Sequence, residues 1–98
     1  MRKHGEYKMP GGKLIVADLS VVNGLLAAVA ISGDFFLEPD TALDSINAAL
    51  SGQAANATEA ELSACITAQL PDDVQMYGMS PEAVAVAVRR AIESEDIA

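Results

Sequence analysis

Lys13-Leu14-Ile15-Val16-Ala17-Asp18-Leu19-Ser20-Val21-Val22-Asn23-Gly24-Leu25-Leu26-Ala27-Ala28-Val29-Ala30-Ile31-Ser32 is the stretch that decides the fold. Ile15, Ala17, Leu19 and Val21 alternate with positions that include Asp18 and Ser20, the period of a strand with one buried face. Asn23-Gly24 tolerates positive φ at both positions and is a strong short hairpin signal. Residues 25–32 then return as the second strand. A tight two-residue turn sets Val21 opposite Leu26 and Leu19 opposite Ala28, which leaves Val29 and Ile31 on the wrong face. A β-bulge near Ala27-Ala28 would restore them to the inside.

Downstream of the hairpin the apolar period changes from two to about 3.6. Pro39 suits a helix first turn, Ala42, Leu43, Ile46, Ala49 and Leu50 form one stripe, and Gly52 is placed to stop it. Residues 53–57 read as a loop. Thr58-x-x-Glu61 is a capping box ahead of Leu62, Cys65, Ile66 and Gln69, and Pro71 closes that second helix. Residues 72–79 read as an irregular connection. Ser80-Pro81-Glu82 then supplies an N-cap, a first-turn proline and an acid suited to the helix dipole. The third helix runs to about Ser94, with Val84, Val88, Ala91 and Ile92 toward the core and Glu82, Arg89 and Glu93 toward water.

Upstream of the hairpin the chain changes character. Residues 1–13 carry four bases and one acid, residues 14–88 carry ten acids and no base, and the net charge is -8. The basic head, with Gly5, Pro10, Gly11 and Gly12, reads as a flexible, solvated leader over residues 1–12, leaving 13–98 as the folded part. The expected class is therefore α+β: an N-terminal antiparallel β-hairpin of two to three strands followed by three helices, in a single small domain.

Size and charge exclude several functions. Of 98 residues, 18 are alanine, so few large apolar side chains remain for the core. A fold of this length buries roughly 60 to 65 % of its unfolded surface, too little for a deep catalytic cleft lined on all sides. The acidic balance opposes nucleic acid and anionic membrane surfaces as partners. Cys65 alone cannot form an internal disulfide, no secretory signal stands at the N-terminus, and the charge-free runs are too short to span a bilayer, so a cytoplasmic location is expected.

Catalytic chemistry is thin. The single histidine, His4, lies in the leader and is expected to be solvated, and no Gly-x-Ser-x-Gly elbow is present. One cysteine and one histidine make no metal-ligand set, and Cys65 on the second helix's apolar stripe is expected to be buried. Two motifs stand out. Lys8-Met9-Pro10-Gly11-Gly12-Lys13 places two glycines between two lysines, either a flexible entry into the strand or a weak phosphate signal without Walker spacing. Gly33-Asp34-Phe35-Phe36 sets two aromatics beside a glycine and an acid, as a core plug or as a partner-facing patch.

Taken in order, Lys8-Met9-Pro10-Gly11-Gly12-Lys13-Leu14, Asn23-Gly24-Leu25-Leu26, Val29-Ala30-Ile31-Ser32-Gly33-Asp34-Phe35-Phe36 and Tyr77-Gly78-Met79-Ser80-Pro81-Glu82 resemble the C-terminal accessory domain of lipoate-protein ligases. The resemblance runs from about Glu6 onward. It implies a non-catalytic accessory subunit, a separate polypeptide since the chain opens with methionine and amounts to one domain. Such a subunit works with a large catalytic subunit that binds ATP, magnesium and lipoate, makes lipoyl-adenylate and transfers the lipoyl group to a lysine of a lipoyl carrier domain. The small subunit is then required for adenylation and dispensable for transfer, binds no cofactor alone and is no enzyme alone. The motif residues Lys8, Pro10, Gly11, Gly12, Lys13, Gly33, Asp34, Phe35 and Phe36 are the expected partner- or active-site-facing set. Ala27, Ala28 and Ala30 depart from the charged residues common there in the family and make the second strand's outer face apolar. An iron–sulfur assembly scaffold has a similar fold and is the alternative, weakened by the single cysteine; a general interaction adaptor is another.

Overall fold

The computed structural model describes residues 2–94; Met1 of the expected leader and residues 95–98 of the expected domain lie outside them. In chain order the elements are β1 (Arg2–Lys8), β2 (Leu14–Val22), β3 (Leu25–Gly33), β4 (Phe36–Glu38), α1 (Ala42–Leu50), α2 (Glu59–Gln69), β5 (Gln75–Tyr77) and α3 (Pro81–Glu93). The class is α+β. An antiparallel sheet of order β1-β2-β3 carries the helices on one face, and β4 pairs with β5 in a separate two-stranded ribbon.

The hairpin forms as its residues dictate. Asn23 and Gly24 take φ of 53° and 78°, and Val21 faces Leu26. Further along the same pair the register slips: Ser20 faces Ala27, whereas Asp18 faces Ala30, so β3 carries one extra residue opposite Leu19. Ala28 takes up the bulge at φ 50°. This slip turns Val29 and Ile31 inward beside Ile15, Ala17, Leu19 and Leu26, all buried. On the outer face β3 presents small side chains, Ala28 and Ala30 among the exposed ones.

The expected flexible leader is corrected. Residues 2–8 are strand β1, paired with β2 along its whole length from Arg2 opposite Ser20 to Lys8 opposite Leu14. Strand alternation turns Lys3, Gly5 and Tyr7 toward α3. Gly5 is buried, and a Cβ there would lie 2.3 Å from the Ala91 nitrogen and 2.6 Å from the Ala87 carbonyl oxygen, so strand and helix backbones are in direct contact. Around this contact Lys3 Nζ donates to the Ser94 carbonyl at 2.9 Å, Arg90 Nη1 donates to the Glu6 carbonyl at 3.0 Å, and the Arg90 guanidinium sits 5.0 Å from the Tyr7 ring centroid. Polar side chains and one glycine fix the strand where an apolar stripe was absent.

The helices keep their punctuation. Glu61 N donates to Thr58 Oγ1 at 3.1 Å while Thr58 N donates to Glu61 Oε1 at 2.9 Å, completing the capping box. Ser80 Oγ accepts from Ala83 N at 3.1 Å, with Pro81 in the first turn of α3. Pro39 is a correction: it does not sit in the first turn of α1 but precedes the N-cap Thr41, after a cis Glu38–Pro39 bond, and its carbonyl accepts from Ala42 N at 3.0 Å. Val84, Val88 and Ala91 are buried as expected, and Ala83, Ala85 and Ala87 join them. Alanine lets α3 lie close to the sheet, while Ile46, Leu50, Leu62 and Ile66 from α1 and α2 fill the remainder of the core.

Two further expectations are corrected. Arg89 does not simply face water: its Nη1 donates to the Ala55 and Ala57 carbonyls at 2.8 and 3.1 Å, anchoring the loop before α2. Cys65 is only half-buried, with its thiol 3.3 Å from the Ala49 carbonyl as donor, because α2 buries Leu62, Ser63 and Ile66 instead. No helix among the described residues is long and apolar enough to cross a membrane.

Candidate functional site

The motifs singled out in the sequence meet at one end of the molecule. In the β1–β2 loop Gly11 takes φ 70°, Gly12 N donates to the Met9 carbonyl at 2.8 Å, and Lys13 N donates to the Gly78 carbonyl at 3.2 Å. Gly78, at φ 79°, has no Cβ to collide with Lys13, whose Cγ would lie 2.5 Å from it. On the other side of β2, Asp34 N donates to the Leu14 carbonyl at 3.2 Å. Gly33 permits this: at φ 148° its Cβ would fall 2.1 Å from that same oxygen. Phe36 then pairs with Tyr77 in the β4–β5 ribbon. The lysine–glycine loop, the Gly33–Phe36 junction and the Tyr77-Gly78 segment are therefore one connected surface, built by two glycine-dependent close approaches.

This geometry limits what the loop can bind. A phosphate cradle needs several free backbone N–H groups, yet those of Met9, Gly12 and Lys13 are committed and Pro10 has none, which leaves Gly11 alone, too few for a cradle. Anion contact from this segment falls to the Lys8 and Lys13 ammonium groups. Both residues are exposed, and neither ammonium forms an ion pair among the described residues.

The aromatic pair does not plug the core. Phe36 is 61 % exposed, Phe35 is half-buried against the core edge, and the buried residue at this junction is Leu37. In a strand, neighbours point to opposite faces, so Phe36 and Tyr77 share the outer face while Leu37 and Met76 turn inward. A shallow hollow of about 280 Å³ lies between Phe35, Phe36, Leu37, Asp40 and Leu43. Residues 72–79, read as irregular, thus contain β5, and Tyr77 joins the site. The signal available was Tyr77-Gly78 itself, an aromatic next to a glycine, with Tyr77 facing Phe36 across the ribbon.

His4 lies elsewhere. On the open sheet face its Nδ1 is 2.7 Å from Asp18 Oδ1 and its Nε2 is 2.6 Å from Glu6 Oε2. The hydrogen bond to Glu6, then that to Asp18, raises its pKa above the ordinary 6.5. It is not solvated freely, because β1 holds it against β2. A hollow of about 400 Å³ by Glu59, Ala60, Ser63, Ala64 and Glu82 holds a Ser63 Oγ donating to Glu82 Oε2 at 3.0 Å. That serine lacks a histidine base, since His4 is on the far side of the sheet. Among the described residues no group of three histidine, cysteine, aspartate or glutamate side chains is placed to hold a metal ion.

The fold is a small α+β domain whose lysine–glycine loop, Gly33–Phe36 junction and Tyr77-Gly78 segment are joined in one surface. No protein-family model matches the chain, and no curated protein matches it. Among solved structures it is similar to a chain in the structural analysis of an archaeal lipoylation system, a bipartite lipoate protein ligase and its E2 lipoyl domain from Thermoplasma acidophilum. The TM-score is 0.65 at 22 % identity, over 91 % of this chain and 93 % of that one. Likeness at this identity establishes a shared fold.

Proposed function

We propose that this chain is the non-catalytic accessory subunit of a lipoate-protein ligase, needed with a large catalytic subunit for ATP-dependent activation of lipoate to lipoyl-adenylate. The observation that carries the proposal is the near end-to-end match to a chain of a bipartite ligase system: coverage of 91 % and 93 % pairs two chains of nearly equal length. The convergence of the Lys8–Lys13, Gly33–Phe36 and Tyr77-Gly78 motifs at one end supports it independently, because packing alone does not require two exposed lysines beside an exposed aromatic pair.

In adenylation a lipoate carboxylate oxygen attacks the α-phosphorus of ATP, a carboxyl-oxygen-to-phosphorus bond forms, and magnesium-bound pyrophosphate leaves. Two anions must approach, so fixed positive charge and exclusion of water both help. Lys8 and Lys13 supply charge to the joint site, and the rest of the surface holds the large subunit in its closed, adenylating arrangement. Transfer of the lipoyl group to a carrier lysine has a neutral amine as nucleophile and makes no such demand.

Pyrophosphate release from ATP and lipoate tests this reading. The chain alone is expected to release none, and the mixture with the large subunit is expected to release it with lipoate dependence. Release by the chain alone contradicts the proposal, as does a mixture no faster than the large subunit alone.

A further inference from the structure

The outer face of the β4–β5 ribbon carries Phe36 and Tyr77, 61 % and 53 % exposed, with ring centroids 6.4 Å apart at an interplanar angle of 62°. The hollow beside them, lined by Phe35, Asp40 and Leu43, is open and mostly apolar. Around this apolar centre, residues 34–40 and 72–77 contain Asp34, Glu38, Asp40, Asp72 and Asp73 and no base. All five are exposed, and none forms an ion pair among the described residues. Exposed aromatics rimmed by five carboxylates, with Lys13 beside Gly78 on the side of the lysine–glycine loop, have the anatomy of an interface centre with its rim.

The charge decides the occupant. A second copy of the chain would bring the same excess of carboxylates and the same net charge of -8 to the contact, and nucleic acid or an anionic bilayer would be repelled in the same way. Two rings are also too small to be a whole interface, which takes about 800 Å² from each partner. They are the anchors of a larger contact with a protein whose surface is cationic. A subunit that gathers ATP and a carboxylate has reason to be cationic around its mouth.

We propose that the β4–β5 ribbon is the surface on which the large ligase subunit docks, with Phe36 and Tyr77 seated in an apolar cleft of that subunit and Glu38, Asp40 and Asp73 meeting lysine or arginine side chains on its rim. The assignment rests on the functional reading above and names the partner's chemistry at the site. The hollow by Asp40 and Leu43 receives an apolar side chain of the partner. Lys8 and Lys13, on the adjoining loop, are left facing the reactants.

The test is binding kinetics of the whole chain against the purified large ligase subunit from the same genome, at several salt concentrations. The Phe36→Ala/Tyr77→Ala variant is expected to lose about thirtyfold or more in affinity, mainly by faster dissociation, with unchanged urea unfolding because both rings are exposed. The Glu38→Gln/Asp40→Asn/Asp73→Asn variant is expected to associate more slowly, with a flatter salt dependence and a similar dissociation rate. If the wild type binds and the aromatic variant binds within about threefold of it, the docking assignment falls while the functional reading stands. Association at the wild-type rate by the charge variant overturns the cationic rim. A free chain that self-associates, and becomes monomeric in the aromatic variant, assigns the ribbon to a second copy instead. No binding by the wild type overturns the functional reading and the docking surface together.

Discussion

Replacing Gly5 by alanine tests whether residues 2–8 are a built part of the domain. The added Cβ would stand 2.3 Å from the Ala91 nitrogen, 2.6 Å from the Ala87 carbonyl oxygen and 2.8 Å from Ala91 Cα. All three are backbone atoms of α3, so no rotamer change relieves the clash. Strand and helix must separate by about 1 Å to reach ordinary contact, and a gap of that size forfeits a quarter to a half of the dispersion energy across the contact. Overpacking of this kind costs about 1–3 kcal/mol and sometimes more. Because α3 carries Val84, Val88 and four buried alanines, the expected loss is near the upper end, about 3 kcal/mol from a total of about 5–15 kcal/mol. With a urea slope of about 1–3 kcal/mol/M, the midpoint should fall by about 1 M or more. Gly24→Ala is the control: at φ 78° with nothing within 4 Å of its Cβ, it should cost only the left-handed strain, about 1–2 kcal/mol. A Gly5→Ala protein within about 0.5 kcal/mol of wild type would refute the reasoning and return the segment to a loose leader.

Three other outcomes are expected. Ala28→Gly relieves a left-handed alanine at the bulge, and after the greater freedom of glycine in the unfolded chain it should stabilise by about 0.5 kcal/mol in the same urea assay. His4 should titrate by NMR with a midpoint above 6.5; its folded pKa is raised, so its stabilisation is complete below the unfolded value and is lost as pH rises through the folded one, and Glu6→Gln should bring the midpoint down. Lys8→Ala/Lys13→Ala should leave stability within about 0.5 kcal/mol yet slow adenylation by the assembled ligase at least about tenfold, as read by pyrophosphate release.

What could be read in advance follows physical lines. The β2–β3 hairpin and its bulge were legible because Val29 and Ile31 must be buried and only one inserted residue turns them inward. The capping box at Thr58 and the Ser80-Pro81 start were legible because caps are local hydrogen-bond chemistry. β1 was not, since its inward residues Lys3, Gly5 and Tyr7 give no apolar alternation and a buried glycine spells the same as a flexible one. The three-residue strands β4 and β5 are too short to display a period. Arg89 was placed toward water by its charge, although its guanidinium is used to satisfy loop carbonyls. At the site, the sequence brought the lysine–glycine loop and the Gly33–Phe36 junction forward separately. Their union through Gly78 depends on contacts 65 residues apart along the chain, from Lys13 to Gly78, which no local pattern encodes.

The central claim is that this chain serves the activation of lipoate and not its transfer. Measuring both half-reactions of the large subunit, with and without the chain, tests that most directly. Lipoyl-adenylate formation from ATP and lipoate should require the chain, while transfer from supplied lipoyl-adenylate to a lipoyl carrier domain should proceed at the same rate in its absence. Adenylation at full rate without the chain, or transfer that depends on it, would contradict the claim.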